Sequence, residues 1–196
     1  MDLEKTVKNL KNRGFGVSVF DSGEKAAEYL CEKISGKTVG IGGSLTAKAL
    51  ALDEKLGKDN TVYWHWTSKA ADTLRCAGSA DVYLTSANAI SENGEIVNID
   101  GTGNRLAGQV YGHEKVYIVA GINKLCGDLE DAIHRARHVA AVQNCQRLQK
   151  DTPCRVDGRC HDCRSPQRIC NALLVLMGPM TGMETEVVLI NEDLGY

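Results

Sequence analysis

Lys37-Thr38-Val39-Gly40-Ile41-Gly42-Gly43-Ser44 is the stretch that decides the fold class. Val39 and Ile41 make a short apolar strand that runs directly into a glycine turn, and residues 45–56 carry a helical pattern behind it. Strand, glycine turn and helix in that order form the repeating unit of α/β sheets. The alternation extends in both directions. Upstream, residues 2–13 predict an amphipathic helix stopped by Gly14, residues 15–20 alternate as a strand, and Asp21 with Glu24 three residues on opens a helix ending near Gly36. Downstream, strands are predicted over 60–66, 81–84, 95–99, 115–120, 172–177 and 186–190, with helices over 68–77 and 128–148. The pattern predicts a sheet covered on both faces, and Asn93-Gly94, a hairpin signal, adds some antiparallel pairing.

Composition sets the outer bounds. At 196 residues, 43% apolar and 24% charged, the chain reads as one soluble domain, with no repeat, low-complexity run or linker. A formal charge of -2 leaves no global basic field, so nucleic acid is not an expected partner. The first ten residues mix charge with helical spacing, and no apolar run approaches the roughly 18 residues of a membrane span. Neither a signal peptide nor a membrane segment is therefore expected, and the expected location is the cytoplasm.

Three constellations carry candidate chemistry. In the first, the glycines at Gly42-Gly43-Ser44 would let backbone amides approach an anion, or would simply make a tight turn with Ser44 as the helix cap. The second, Thr85 to Arg105, gathers four Asn, two Glu, one Asp and one Arg around two apolar runs. Glu92 or Asp100 could act as acid, base or nucleophile, with Arg105 and Lys124 as an anion clamp and Asn88, Asn98, Gly103 and Asn104 as further binding residues. Alternation along a strand sets Asn98 and Asp100 on one face and Val97 and Ile99 on the other, and sends Glu95 to solvent. The competing reading is a hairpin whose Asn, Asp and Gly serve only to turn the chain.

The third constellation is Cys154-x5-Cys160-x2-Cys163-x6-Cys170, on a segment broken by Pro153, Gly158 and Pro166. Four thiolates crowded together repel unless a metal or disulfides relieve them. The uneven spacing is unlike a zinc ribbon, which favours an iron-sulfur cluster of the four-iron type, with zinc as the alternative and disulfides or redox-active thiols as the remaining readings. The other cysteines, Cys31, Cys76, Cys126 and Cys145, are expected as buried free thiols. His65, between two tryptophans, is expected to face solvent, and His134 and His138 to lie on a solvated helix face.

Four motifs in order resemble the LUD domain, the lactate-utilisation protein C family: Gly-Ile-Gly-Gly-Ser at 40–44, Asn-Ala-Ile-Ser-Glu-Asn-Gly at 88–94, Asp-Gly-Thr-Gly-Asn-Arg at 100–105 and Gly-Ile-Asn-Lys at 121–124. The segment 153–171 resembles a cysteine-tailed, single-domain branch of that family, which departs from the lactate-operon form. The resemblance implies a single domain over 1–196. It also implies a Rossmann-like three-layer fold similar to the sugar-phosphate isomerase and CoA-transferase superfamily, with ligands at the glycine turn and the Asn88 to Arg105 region. It implies organic-acid or redox metabolism, with a small anionic metabolite as ligand. The alternative is an accessory electron-transfer subunit or metal-stabilised sensor with a redox partner protein. Whether the chain turns over a substrate or assembles as a homo-oligomer is left open.

Overall fold

A computed structural model describes residues 1–196. Asp2 accepts from the Lys5 amide and caps α1 (Leu3–Asn12), which leads to β1 (Gly16–Phe20). Ser22, one residue past the expected Asp21, caps α2 (Gly23–Lys33) before β2 (Thr38–Ile41). The expected single helix after the glycine turn is two short ones, α3 (Leu45–Ala49) and α4 (Leu52–Leu56), because Ala51 takes a left-handed φ of 50° between them. Then come β3 (Thr61–Trp64), α5 (Thr73–Gly78), β4 (Val82–Thr85) and the hairpin of β5 (Ala89–Ser91) and β6 (Ile96–Asp100). Gly94 at the hairpin turn has φ +86°, the conformation that the Asn-Gly signal requires.

The second half holds α6 (Asn104–Val110), β7 (Lys115–Gly121), β8 (Leu125–Cys126), α7 (Leu129–Arg135) and α8 (Ala141–Arg147). A π-helical turn at Ala136–Ala140 joins the last two, so the long helix read from sequence is continuous but widened at its middle. The chain closes with α9 (Pro153–Asp157), β9 (Ala172–Leu176) and β10 (Glu184–Ile190).

Six strands in the order β1-β10-β7-β4-β2-β3 form a wholly parallel sheet. The other four, β8-β5-β6-β9, form a small mixed sheet in which β6 pairs antiparallel with both β5 and β9. The fold class is therefore α/β with some antiparallel pairing, and its layers follow from the apolar clusters. On one face of the large sheet, Leu30, Leu52 and Leu56 from the helices, with Ile34 just past α2, pack on Val39, Ile41, Leu84 and Val188. On the other face, Ile90, Ile96, Leu125 and Leu176 of the small sheet pack on Ile118, Val187 and Leu189, with Leu10 of α1 alongside. Val97 and Ile99 point the opposite way, into Ala132, Ala136 and Ala141 of the α7–α8 helix. A two-residue side-chain period along β6 thus serves two separate cores.

Helix α6 crosses the large sheet at the closest approach that a glycine permits. A Cβ at Gly108 would lie 2.5 Å from the buried Tyr83 ring. Gly108→Ala, which in an exposed helix would add stability, is expected instead to cost roughly 1–3 kcal/mol in denaturant unfolding. A variant as stable as the parent would mean that α6 is free to shift.

Candidate functional site

All strands of the large sheet run the same way, so the carboxyl ends of β2, β3, β4 and β7 share one edge. From β2 the chain steps outward to β3, then returns to β4 on the other side, which makes the β2/β4 boundary a topological switch point. Connecting helices leave a crevice there. It holds a cavity of about 250 Å³. Gly43 and Ser44 reach it from β2, His65 and Trp66 from β3, Ser86 and Asn88 from β4, and Lys124 from β7. Asp100, Asn104 and Arg105 enter from the β6–α6 turn, and Asn144 and Arg147 of α8 form the opposite wall.

Arg105 is the centre of this arrangement. Its guanidinium donates to Asn98 Oδ1 at 3.3 Å, Asn88 Oδ1 at 3.2 Å and the Ile99 carbonyl at 2.5 Å. A Cβ at Gly42 would stand 2.7 Å from Arg105 Cγ and 2.9 Å from Tyr83 Oη, so the glycine turn is where the arginine stem packs. Asn98 is fully buried and also accepts from the Asn88 amide at 3.0 Å and donates to Gln109 at 2.8 Å. Asp100 is not ion-paired with Arg105. Its carboxylate accepts the backbone N–H groups of Gly101 at 2.9 Å and of Gly103 and Arg105 at 3.2 Å, pinning the first turn of α6 where Gly103 has φ +91°.

Lys124 is a second cation without a carboxylate. Only 2% exposed, it donates to Thr46 Oγ1 at 3.0 Å and Ser86 Oγ at 2.7 Å. Burial, and then the like charges of Arg135 and Arg105, push its ammonium down to about 7. Burial likewise lowers His65, with Asp100 working in the opposite direction, and His65 Nδ1 is buried without a partner. His65 therefore faces the cavity rather than solvent, and this corrects the sequence expectation; its neighbour Trp64 packs inward and Trp66 stacks on it at 5.1 Å.

The structure brings together Gly43, Ser44, Asn88, Asp100, Asn104, Arg105 and Lys124, with Gly42, Asn98 and Gly103 supporting them from behind. Ser44 also serves as the α3 cap, accepting from the Ala47 amide. Glu92 lies elsewhere, accepting from the Asp2 amide and Lys5 Nζ, both near the start of α1. Glu95 does not reach solvent: it pairs with Arg13 and with Ser91. Thr46, Ser86, Arg147 and Gly195 were not singled out in the sequence. Thr46 and Ser86 could have been found two residues past Ser44 and one past a strand end, where hydroxyls face the same crevice.

The cysteine segment borders the cavity through Ile169. The Asn171 amide donates to the Asp100 carbonyl, and a Cβ at Gly101 would meet the Ile169 backbone at 3.0 Å. All eight cysteines are free thiols. Burial raises the Cys170 thiol, and Cys160 and Cys163 add to that from close by, while Arg168 opposes it. Cys145 of α8 joins the group: burial pushes its thiol up to about 11, with Thr152 opposing and Cys154 adding. The donor chemistry suits a soft metal, yet no three His, Cys, Asp or Glu side chains converge closely enough to hold an ion. His134 and His138 are exposed and stack at 4.2 Å. No helix is long and apolar enough to cross a membrane.

Fold and cavity define an α/β protein with a small cationic crevice at the switch point of a parallel sheet. The chain belongs to the LUD domain family, whose profile matches residues 3–190. A DUF162 family protein from Deinococcus radiodurans shares the fold over 96% of this chain and 95% of its own, with TM-score 0.56 and 12% identity. Ribose 5 phosphate isomerase A from Neisseria gonorrhoeae aligns over 55% of this chain and 54% of its own (TM-score 0.35, 19% identity). eIF2B beta from Chaetomium thermophilum aligns over 64% and 43% (TM-score 0.32, 17% identity). No curated protein is significantly similar in sequence.

The Lys124 environment has a pH signature. Unfolded, this lysine titrates near ~10.4; folded, near 7. Between these values the unfolded chain binds a proton that the folded one rejects, so stability falls as pH drops through the window and levels off below it. Relative to the parent, Lys124→Met should gain roughly 1–4 kcal/mol between pH 10 and pH 7 in denaturant unfolding. A pH-independent difference would show that the amine is not desolvated.

Proposed function

We propose that this LUD-domain protein binds a small anionic metabolite, an organic acid or a phosphate, in the crevice at the ends of β2, β4 and β7. The observation that carries this reading is a pair of cations with no carboxylate of their own, Lys124 buried and Arg105 half-buried at the cavity wall: both are held only by amide, carbonyl and hydroxyl oxygens. An unpaired buried charge is costly, and a bound anion supplies the missing partner. The one acid at hand, Asp100, is already committed to three backbone amides. The amino end of the same sheet differs, since there Lys115 pairs with Glu186 at 3.0 Å and Glu186 also accepts from Tyr29 and Ser18. A volume of about 250 Å³ limits the ligand to a few carbons, since sites for drug-sized molecules run ~300–1,000 Å³.

In this reading Arg105 grips the anionic group in a fork already aimed by Asn88 and Asn98, while Asn104 and the Gly43 and Ser44 turn line the remaining polar wall. Pyruvate, lactate, inorganic phosphate and ribose 5-phosphate, screened by thermal shift and then titration calorimetry, test it. Arg105→Met is expected to weaken the best binder about 10- to 100-fold, the range for one charged hydrogen-bonding group. Equal affinity in parent and variant would remove Arg105 from the site.

A second reading concerns the cysteine segment. We propose that Cys154, Cys160, Cys163 and Cys170 take up an iron-sulfur cluster or zinc, supported by four half-buried thiols of matching softness on one segment, of which Cys160 and Cys163 act on the Cys170 thiol. Metal binding and local folding are linked, so the ion itself would complete the gathering of its ligands. Anaerobic purification followed by metal analysis should find stoichiometric iron or zinc that is lost in Cys160→Ser. Metal-free protein of unchanged stability would end this reading.

A further inference from the structure

We infer that Lys124 is a nucleophilic amine that condenses with the carbonyl group of a small anion, so that the crevice selects carbonyl-bearing acids or phosphates and holds them as an imine. This rests on the anion-binding reading above and narrows its ligand class. Its basis is the surroundings of Nζ. The amine lines the cavity, is 2% exposed, and meets two hydroxyls and no acid. A hydroxyl can accept from an ammonium or donate to a free amine, so this shell accommodates both protonation states of the lysine.

The wider surroundings favour the free amine. The charged groups acting on Nζ are Arg105 of α6 and Arg135 of α7, both cations. On the remaining side the chain passes so closely that a Cβ at Gly195 would lie 3.4 Å from Nζ and 2.8 Å from Thr46 Oγ1, with Gly195 at φ +66°. Gly195 thus packs beside an amine that is only 2% exposed. The resulting value of about 7 leaves a large fraction unprotonated at neutral pH, whereas an ordinary surface lysine is almost wholly ammonium there.

The step balances without an oxidant or reductant. The Nζ lone pair attacks the carbonyl carbon, a C–N bond forms, and the C=O π pair moves to oxygen, which takes a proton from nitrogen to give a carbinolamine. The hydroxyl then leaves with a second nitrogen proton as water, and C=N remains. Ser86 Oγ and Thr46 Oγ1, 3.3 Å apart and both bonded to Nζ, are placed to pass these protons. Arg105 would hold the anionic end of the same molecule.

Trapping tests the imine directly. The full-length protein is incubated with pyruvate, glyoxylate or glyceraldehyde 3-phosphate, reduced with sodium borohydride, and read by intact mass and peptide mapping. The expected result is one adduct, of the mass of the probe less one oxygen atom plus two hydrogens less two hydrogens of the amine, on Lys124. It should form with a rate that rises through pH 7, and be absent from Lys124→Met and Lys124→Arg. If a probe raises the melting temperature but leaves Lys124 unmodified, the imine is wrong and the anion pocket stands. If adducts spread evenly over surface lysines and appear only at high pH, the imine is again wrong. If no probe shifts the melting temperature or modifies Lys124, both readings fall.

Discussion

The cross-strand amide exchange at the mouth of the small hairpin is the constraint on which the site depends. Asn98 Oδ1 accepts the Asn88 amide and Asn88 Oδ1 accepts the Ile99 amide, so each side chain completes the other strand's backbone pairing where β5 and β6 separate. Both oxygens then have a lone pair left, and both give it to Arg105. The guanidinium is thus fixed by the register of a hairpin rather than by an acid. An Arg–carboxylate pair would have neutralised it; amide oxygens orient it and leave its charge available. Asp100, which could have closed such a pair, is turned to the backbone of α6 by its place at the end of β6.

Much of this was legible from the residues. Val39 and Ile41 followed by Gly42-Gly43 announced a parallel strand and a tight exit, and Asn93-Gly94 announced the hairpin. Period-two alternation separated Asn98 from Val97 and Ile99, and the structure sends them into different surroundings. What was not legible is long-range. Glu92 read as an acid of the site and Glu95 as a solvent-facing one, but their partners Lys5 and Arg13 lie 87 and 82 residues away, on and just after a helix whose docking no local pattern reveals. His65 misled for a similar reason. Alternation correctly set it against Trp64, yet whether that side is solvent or crevice depends on where α6 and α8 pack.

The lysine illustrates a further limit of local reading. Lys124 follows a strand by three residues, an unremarkable place for a cation, and its character comes from what closes over it: Thr46 from α3, Ser86 after β4, and Gly195 from the far end of the chain. Three separate segments must converge before the amine loses its water. Sequence can nominate such a residue by its motif but cannot state its protonation, because the desolvation belongs to the assembled crevice.

The same crevice joins the cysteine segment to the ligand cavity mechanically. Asn171 is bonded to the Asp100 carbonyl and, through its side chain, to the Gly101 carbonyl, while the Ile169 backbone leaves room for nothing larger than glycine at 101. Asp100 in turn holds the Gly103 and Arg105 amides that begin α6. Any change in how Cys170 is held, whether by a metal or by oxidation, acts on a backbone whose next residue on either side touches this turn. The turn carries Arg105, and a displacement of even a fraction of an ångström at a packed glycine has no slack to absorb it. The polar hairpin and the cysteine tail, which look like two functions along the chain, are therefore two sides of one wall of the cavity.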